Sequence, residues 1–266
     1  MTRVETIGME TLGDLGPLDL EHPEGSYLLT PASLIGIETV RSSAWRLAGR
    51  GIDWGCGGGC MSIAAARIAA VDHVTGLDIE PANVHAARRN AVRNGVTDKV
   101  EFLHSDSFTP IDPTDTTRLS RHKGSLSFII ANPPASRNDD GFGFRREVLR
   151  GGREYLKPLA VALLCISIQY SEERIRGLCD DVPGYRYEEL VASTDWVQFD
   201  MNRTDLSLQV VEYAEEEERG GIDYHFRDPT SPTERIVTAR KALALYRETG
   251  LSPLSKWQSY SFVLEP

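Results

Sequence analysis

The chain has 266 residues, of which 41% are hydrophobic, 26% charged and 8% aromatic. These fractions exclude a disordered, collagenous or coiled-coil chain, and the length suffices for one large α/β domain with an addition. The formal net charge is −10, but it is spread unevenly. Residues 1–160 contain 20 acids and 18 bases, whereas residues 161–266 contain 19 acids and 11 bases. An acidic surface repels phosphate backbones, which weighs against nucleic acid as the partner.

The amino-terminal sequence and the cysteine pattern predict a cytoplasmic protein. The opening segment lacks the apolar core of a signal peptide, and no stretch approaches the ~18 apolar residues of a membrane span. The four cysteines contain no C-x2-C pair and the six histidines are scattered, so the spacing indicates no metal site. We therefore expect reduced thiols, no metal and no membrane attachment.

The first two-thirds of the chain alternates between predicted strands and helices. Residues 1–30 have the composition of an irregular arm, and residues 31–49 predict a helix capped by Thr30 with Pro31 at its first position. Strands are predicted at 51–54, 71–79, 100–106, 125–134 and 160–168, with helices at 60–70, 81–94, 144–156 and 171–179. Continuous apolar strands separated by helices indicate a parallel sheet covered on both faces.

After Pro183 the alternation changes. Residues 185–193 and 257–265 predict two further strands, and the segment between them predicts helices at 205–219 and 233–248. We interpret residues 194–256 as an acidic helical insertion and a candidate substrate lid. The expected organisation is an arm and helix at 1–45, a core at 46–193, the insertion at 194–256, and a last core strand at 257–266.

A glycine-rich loop follows the first strand of the core. Asp53, Gly55, Gly57 and Gly59 lie where a strand ends and a helix begins, so the chain can turn tightly and let a ligand approach its backbone. Asp78 ends the next strand, 19 residues after Gly59. A carboxylate at this distance is expected to accept hydrogen bonds from both hydroxyls of a ribose. The pair predicts a nucleotide-like ligand.

The loop resembles motif I of the class I S-adenosylmethionine (SAM)-dependent methyltransferases. The dinucleotide fingerprint requires a glycine or alanine where Cys60 stands, whereas D-x-G-x-G-x-G from Asp53 fits motif I. GLDI at 76–79 resembles the ribose-binding segment, and HSDSF at 104–108 the segment that contacts adenine. The resemblance implies these SAM-binding residues: Asp53, Gly55, Gly57, Gly59, Asp78, Ile79, Asp106 and Ser107.

Residues 132–134, Asn-Pro-Pro, resemble motif IV of the same enzymes, and the resemblance covers residues 51–168. It implies an α/β fold of class I methyltransferase (Rossmann-like) type: a doubly wound, seven-stranded, mostly parallel sheet whose last strand is antiparallel. It also implies SAM as the methyl donor and S-adenosylhomocysteine as its product. The stretch at 140–158 resembles the release-factor and ribosomal-protein glutamine methyltransferases.

The motif is expected to supply the catalytic residues Asn132, Pro133 and Pro134. Proline has a fixed φ and no N–H, so the segment forms a stiff lip rich in acceptors. The Asn132 side-chain oxygen and the Pro133 carbonyl are expected to hold an acceptor NH2 group and stabilise the charge that develops on nitrogen. Ala135 stands where related motifs have an aromatic residue. Two alternatives remain open: Phe142 or Phe144 supplies the missing face, or the pocket is widened for a bulkier acceptor.

The acidic insertion favours a small cationic metabolite as the acceptor of an N-methylation. Three alternatives remain open: a protein glutamine amide, an adenine N6 in RNA, and a SAM-binding protein without turnover. A nicotinamide-dependent reductase is a further rival. Tyr27 with Thr30-Pro31 resembles a segment that closes over SAM, and the protein is expected to be a monomer or homodimer. Candidate walls of a substrate cover are Trp196, Phe199, Tyr224 and Phe226.

Overall fold

The computed structural model describes residues 3–22, 30–137 and 139–266; Tyr27 lies outside these ranges. The helices are α1 (Met9–Leu12), α2 (Pro31–Ser42), α3 (Cys60–Ala66), α4 (Pro81–Arg93), α5 (Pro113–Ser120), α6 (Gly143–Gly152), α7 (Glu172–Arg176), α8 (Leu178–Asp181), α9 (Thr204–Glu218) and α10 (Ala239–Thr249). Short 3-10 turns occur at Gly13–Leu15 and Ile168–Tyr170.

The strands are β1 (Arg3–Ile7), β2 (Leu18–His22), β3 (Gly49–Trp54), β4 (Val71–Asp78), β5 (Val100–Asp106), β6 (Thr109–Pro110), β7 (Leu126–Ala131), β8 (Leu156–Cys165), β9 (Tyr185–Ser193), β10 (Val197–Gln198), β11 (Phe226–Arg227), β12 (Ile236–Val237), β13 (Leu254–Ser255) and β14 (Gln258–Leu264).

The central sheet has the order β6-β5-β4-β3-β7-β8-β14-β9. Strands β5, β4, β3, β7 and β8 are parallel, and β14 runs antiparallel to both of its neighbours. The prediction of a mostly parallel sheet with an antiparallel last strand is therefore confirmed. The count differs by one, because the chain turns back after β5 and adds the two-residue strand β6 at the edge.

The parallel strands are buried on both faces, as their apolar sequences predicted. Ile129 and Leu164 pack in the core on one side of the sheet, and Phe128 and Leu163 pack in the core on the other. Asp53 lies at the centre, opposite Gly76 of β4 and Ile130 of β7. The carboxyl ends of these strands therefore come together beside the glycine loop.

The amino-terminal arm is more regular than its composition predicted. Strands β1 and β2 form an antiparallel hairpin, and Leu18 and Leu20 of β2 are buried in the core. The hairpin docks on α4 through Asn90, whose side chain accepts from the Glu21 amide at 2.7 Å and donates to the Glu21 carbonyl at 3.0 Å. The irregular-arm prediction was wrong because these partners lie about 70 residues away in sequence.

The predicted cap of the next helix is confirmed. The Thr30 hydroxyl accepts a hydrogen bond from the Ser33 amide, and Pro31 takes the first helical position. The helix ends at Ser42, earlier than the sequence pattern indicated.

Residues between β9 and β14 contain the two predicted helices, as α9 and α10, and a small four-stranded sheet that the sequence did not predict. Phe199, Tyr224 and Phe226 are buried in the main core. They therefore serve packing and do not form the walls of a substrate cover. Trp196 instead donates a hydrogen bond to Glu234 at 2.9 Å. In the described ranges no helix combines the length and hydropathy that a membrane crossing requires.

Replacing Asn90, whose side chain is fully buried, by alanine is expected to lower the free energy of unfolding by about 2–3 kcal/mol, because the partly buried Glu21 and Gly58 backbone groups lose their partners. Asn94→Ala is the matched control. Asn94 bonds the same hairpin at Asp19 in a more exposed position, so its loss is expected to cost about 1 kcal/mol. Urea denaturation measures both values, and equal losses would contradict the role given to Asn90.

Candidate functional site

The glycine loop encloses one side of a small cavity beside α3. Gly55, Gly57 and Gly59 have φ values of 67°, 54° and 82°, a region that other residues rarely adopt. A Cβ on Gly55 or Gly57 would meet nothing within 4 Å, so their φ angles and not crowding require glycine. A Cβ on Gly59 would come within 2.9 Å of Phe102, so this glycine also packs tightly against β5.

This glycine-loop cavity has a volume of about 240 Å³. Its lining residues include Asp53, Gly55, Gly57, Asn83, Asn90 and Asn132. Gly59 lies behind it as the residue that caps α3. The Asn90 side chain donates to the Gly58 carbonyl at 2.9 Å, so the same asparagine that holds the hairpin also holds the loop.

Asp53 is the buried carboxylate of this cavity, with only 1% of its surface exposed. Burial raises its pKa to about 7, although hydrogen bonds from the Ser62 hydroxyl and amide oppose the rise. Burial also raises the pKa of Cys60 to about 12, so that thiol is neutral at pH 7. No described cation forms an ion pair with this buried carboxylate, which suits it to a cationic ligand.

Asp78 supports the loop from the end of β4. One of its oxygens accepts from the Gly57 amide at 2.7 Å, and the other accepts from the Glu80 amide and the Asn83 side chain. Ile79 follows it with 51% of its surface exposed, so its side chain offers an apolar face to a ligand. The His104 ring lies 2.9 Å from the Ile79 carbonyl, which ties the ends of β4 and β5 together.

Asp106 and Ser107 lie at the end of β5 and line a larger groove. Ser107 has a positive φ of 52°, and its hydroxyl accepts a hydrogen bond from the Trp54 indole at 2.9 Å. Trp54 thereby connects the glycine loop to this segment. The eight residues expected to bind SAM thus follow three adjacent strands, although only Asp53, Gly55 and Gly57 line the same small cavity.

Asn132 ends β7 and lines the glycine-loop cavity and also a second cavity of about 380 Å³, here called the lip cavity. Its side-chain NH2 donates to the Ala32 carbonyl at 2.8 Å. Its oxygen accepts no hydrogen bond from the described residues and remains available to a donor. That this oxygen holds an acceptor NH group stays a prediction.

The carbonyls of Pro133 and Pro134 do not stand free, which corrects the expectation for Pro133. Each accepts a hydrogen bond of 3.1 Å from the guanidinium of Arg145. The same group donates to the Gly141 and Cys165 carbonyls. A carbonyl oxygen has a second lone pair, so Pro133 can still accept one bond, but its first partner is this buried arginine.

The two candidate phenylalanines have different positions. Phe142 is fully buried, and its ring packs edge-on against Tyr170 at 4.5 Å. It therefore cannot stack on an acceptor, and this expectation is corrected: the residue is an anchor of the loop. Phe144 is half-buried, lies 6.0 Å from Trp54 and lines the larger groove with Ala135.

The groove beside Phe144, here called the acidic groove, has a volume of about 1190 Å³. It shares Pro134, Ala135, Asp205 and Gln209 with the lip cavity, which in turn shares Asn132 and Ser33 with the glycine-loop cavity. The three cavities therefore adjoin one another, with Asn132 at the junction nearest the glycine loop. The charged residues lining the acidic groove are Asp106, Asp139, Glu147, Asp205 and Glu212, against Arg137 and Arg150.

Comparison with known proteins gives a partial match in sequence. The family model described as ribosomal protein L11 methyltransferase (PrmA) matches residues 29–132. The ribosomal protein L11 methyltransferase of Dechloromonas aromatica (strain RCB) is 55% identical over 87 residues, which are 33% of this chain and 26% of that protein. That of Aeromonas hydrophila subsp. hydrophila is 38% identical over 99 residues, covering 33% of this chain and 34% of that protein. The chain thus spans about a quarter to a third of these relatives.

The solved structures share the fold. A 16S rRNA methyltransferase of T. thermophilus, in complex with AdoMet and guanosine, has a TM-score of 0.52 at 19% identity, covering 70% of this chain and 47% of that chain. A methyltransferase from Pyrococcus furiosus has a TM-score of 0.51 at 15% identity, covering 93% of this chain and 89% of that chain. The chain therefore has the fold of the class I SAM-dependent methyltransferases. The family match ends at Asn132, so Pro133 and Pro134 lie beyond it.

Sequence reasoning missed several residues of this candidate site. Arg145 stands next to Arg146 in a helical pattern, and nothing local distinguishes the buried arginine from its neighbour. Asn90 falls within a predicted helix, and the sequence does not indicate its distant hydrogen-bond partners. Asp205 and Gln209 reach the site from the insertion. In the described ranges no group of three or more His, Cys, Asp or Glu residues has the geometry of a metal site.

Asp53→Asn is expected to change how stability depends on pH. Because the pKa of Asp53 is about 7 in the folded chain, against 3.8 as its ordinary value, the folded state binds the proton more tightly. Its contribution to the unfolding free energy therefore decreases as pH rises from about 4 to about 7, by roughly 2–4 kcal/mol. The asparagine variant should lack this component. Denaturation of both proteins at a series of pH values measures the difference. Parallel plots of unfolding free energy against pH for the wild type and Asp53→Asn would refute the prediction.

Proposed function

We propose that the protein transfers the methyl group of SAM to a nitrogen atom of a basic polypeptide segment. The observation that carries the proposal is the position of Asn132, where the glycine-loop cavity meets the lip cavity, with its side-chain oxygen available to a donor. A group held there lies between the candidate cofactor site and the acidic groove.

The residues present fit SAM. Asp53 is a buried carboxylate that suits the positive charge of a sulfonium and an ammonium group, and the positive-φ glycines leave the backbone open to a close approach. Asp78 would bind the ribose hydroxyls, and Ile79, Asp106 and Ser107 would surround the adenine. When bound, SAM supplies an electrophilic methyl group, and its sulfur takes the electron pair of the broken C–S bond.

The chain's own residues would orient the acceptor for this displacement. The Asn132 oxygen would accept a hydrogen bond from the acceptor N–H, which directs the nitrogen lone pair toward the methyl carbon. The same bond strengthens as positive charge develops on nitrogen. After the N–C bond forms, one proton leaves the nitrogen. Such positioning accounts for much of the rate acceleration expected here, and it requires no covalent enzyme intermediate.

The acidic groove supports a basic polypeptide over a small metabolite. Five carboxylates and two arginines line it, and its volume of about 1190 Å³ exceeds that of ordinary small-molecule pockets, which hold ~300–1,000 Å³. The relatives are named for a ribosomal protein, and they lend no support to the small metabolite that the sequence suggested. Asp106 and Glu147 form no ion pair with a described residue, so a basic segment would pair with them, whereas a glutamine amide brings no charge to them.

Asp78→Ala and Asn132→Ala are expected to separate binding from turnover. Losing the Asp78 carboxylate should weaken SAM binding by about 10- to 100-fold, because hydrogen bonds to a charged group disappear. Asn132→Ala should keep binding within about threefold and lower kcat by about 100-fold or more. Calorimetry and a methylation assay measure these effects. Glu80→Ala, with an exposed side chain beside Asp78, is the control.

Three outcomes would decide against this function. If Asn132→Ala retained full kcat, the lip would have no role in catalysis. Binding of SAM without methylation of any basic peptide, amine or amide would favour a non-catalytic SAM-binding protein. Thermal stabilisation by NADH but not by S-adenosylhomocysteine would favour the reductase alternative.

Glu147→Lys tests the acceptor class. Glu147 lines the acidic groove and forms no ion pair with a described residue, so charge reversal should raise KM for a lysine-rich peptide roughly tenfold and leave SAM binding unchanged. Glu248→Lys on α10 makes the same change at an exposed position outside the groove. It should behave as the wild type. Steady-state kinetics at two salt concentrations measure the effect, and equal KM values for both variants would overturn the assignment.

A further inference from the structure

Arg145 is a buried cation without a carboxylate partner. Only 5% of its surface is exposed, and no described carboxylate forms an ion pair with it. Its Nε is buried and has no hydrogen-bond partner among the described residues. Burying a charge in this way is costly, and such a cost is retained where the charge serves a purpose beyond stability.

The hydrogen bonds of Arg145 show what it holds. Nη2 donates to the Pro133 carbonyl at 3.1 Å, and Nη1 donates to the Pro134 carbonyl at 3.1 Å and to the Gly141 carbonyl at 2.9 Å. One planar guanidinium therefore joins both prolines of the lip to the far end of the same loop. Pro133 and Pro134 have no N–H to donate, so their backbone can make hydrogen bonds only through the carbonyls, and the planar guanidinium bonds both of them.

The arginine is in turn held by aromatic rings. Its Cζ lies 5.4 Å from the centre of the Tyr170 ring and 5.9 Å from that of Phe142. A Cβ on Gly141, whose φ is 83°, would come within 2.5 Å of the Tyr170 hydroxyl, so glycine permits this close packing. The rings supply the favourable contact that a carboxylate would otherwise give to the cation.

Tyr170 connects this cluster to the insertion. Its hydroxyl lies 2.5 Å from the hydroxyl of Tyr213 on α9, and burial raises the pKa of both groups, which keeps both neutral. The Gln209 side chain donates to the Tyr213 hydroxyl, and Tyr213 stacks on Tyr224 at 3.8 Å. Gln209 also lines the lip cavity and the acidic groove. A path of direct contacts thus runs from α9 to the lip.

We propose that Arg145 is the positioning residue of the Asn-Pro-Pro lip, and that helix α9 holds it in place through the Tyr213–Tyr170 hydrogen bond. The expected effect on catalysis rests on the proposed function. The ordering of the lip by Arg145 does not depend on it and can be measured in the chain alone. The insertion would then act on catalysis through the lip as well as on the choice of acceptor.

The test compares Arg145→Met with Arg145→Lys in the full chain. Arg145→Met should raise hydrogen–deuterium exchange across residues 132–144, where the Ser136, Gly141 and Gly143 amides donate bonds within the loop, and leave residues 55–59 unchanged. It should lower kcat by about 100-fold, because the lip loses its alignment, with KM for SAM within about threefold of wild type. Arg145→Lys keeps the charge and a donor, and should recover part of both properties.

Tyr213→Phe and Tyr224→Phe form a matched pair for the tether. Each removes one hydroxyl from the same stack, but only the Tyr213 hydroxyl bonds Tyr170, and that of Tyr224 bonds no described residue. Tyr213→Phe should lower kcat by about tenfold and increase exchange across residues 132–144, a fraction of the effect of losing the arginine. Tyr224→Phe should resemble the wild type in both measurements.

Arg146→Met controls for a purely structural loss. Arg146 is the neighbouring arginine, and it pairs with Asp140 and Asp181 without contacting the lip carbonyls. It should lower the thermal midpoint with little change in kcat per folded molecule. The proposal is overturned if Arg145→Met leaves exchange across 132–144 unchanged, or if its kcat loss only matches the unfolded fraction. If the wild type methylates no acceptor, the proposed function fails, and the exchange data alone decide whether Arg145 orders the lip.

Discussion

The site depends on one constraint of parallel sheets: successive strands end at the same edge. Strands β3, β4, β5 and β7 each finish there, and each is followed by a polar segment of the candidate site. Direct bonds between these segments set their spacing. Trp54 donates to Ser107, Gly57 donates to Asp78, and the His104 ring contacts the Ile79 carbonyl. The loops that follow the strands are therefore fixed to one another as well as to the sheet.

The same constraint explains how much of the site the sequence could reveal. Strands buried on both faces consist of continuous apolar runs, so the five parallel strands and their approximate ends could be predicted, and with them the positions of Asp53, Asp78 and Asn132. The cap at Thr30 was also readable, because it depends on neighbours in the chain. Each of these features depends on a sequence pattern that lies within a few residues of it.

The features that escaped the sequence all depend on distant partners. Leu18 and Leu20 alternate in a short segment, which is a strand because it pairs with β1 and docks on α4 through Asn90. Phe142 and Phe144 are two residues apart in one pattern, yet one is buried beneath Tyr170 and the other faces the acidic groove. Nothing in the sequence marks Arg145 as the arginine that turns inward. Tertiary packing determines which of these side chains is buried, and the local sequence pattern does not indicate it.

The structure shows where the excess acidic residues of positions 161–266 lie, which the composition alone did not. Much of it lies on exposed surface and in pairs such as Arg219–Glu216, where solvent screens the charge and the interaction contributes little. Asp205 and Glu212 lie on α9 at the wall of the acidic groove, where Asp205 pairs with Arg203 and Glu212 pairs with Arg137. The same helix carries Tyr213 on its buried face. An acceptor that pairs with the exposed face of α9 would therefore bind to the helix whose buried face is bonded to Tyr170, and through Tyr170 to Arg145 and the lip. Under the proposed function, substrate charge and lip geometry would in this way be coupled through a single helix.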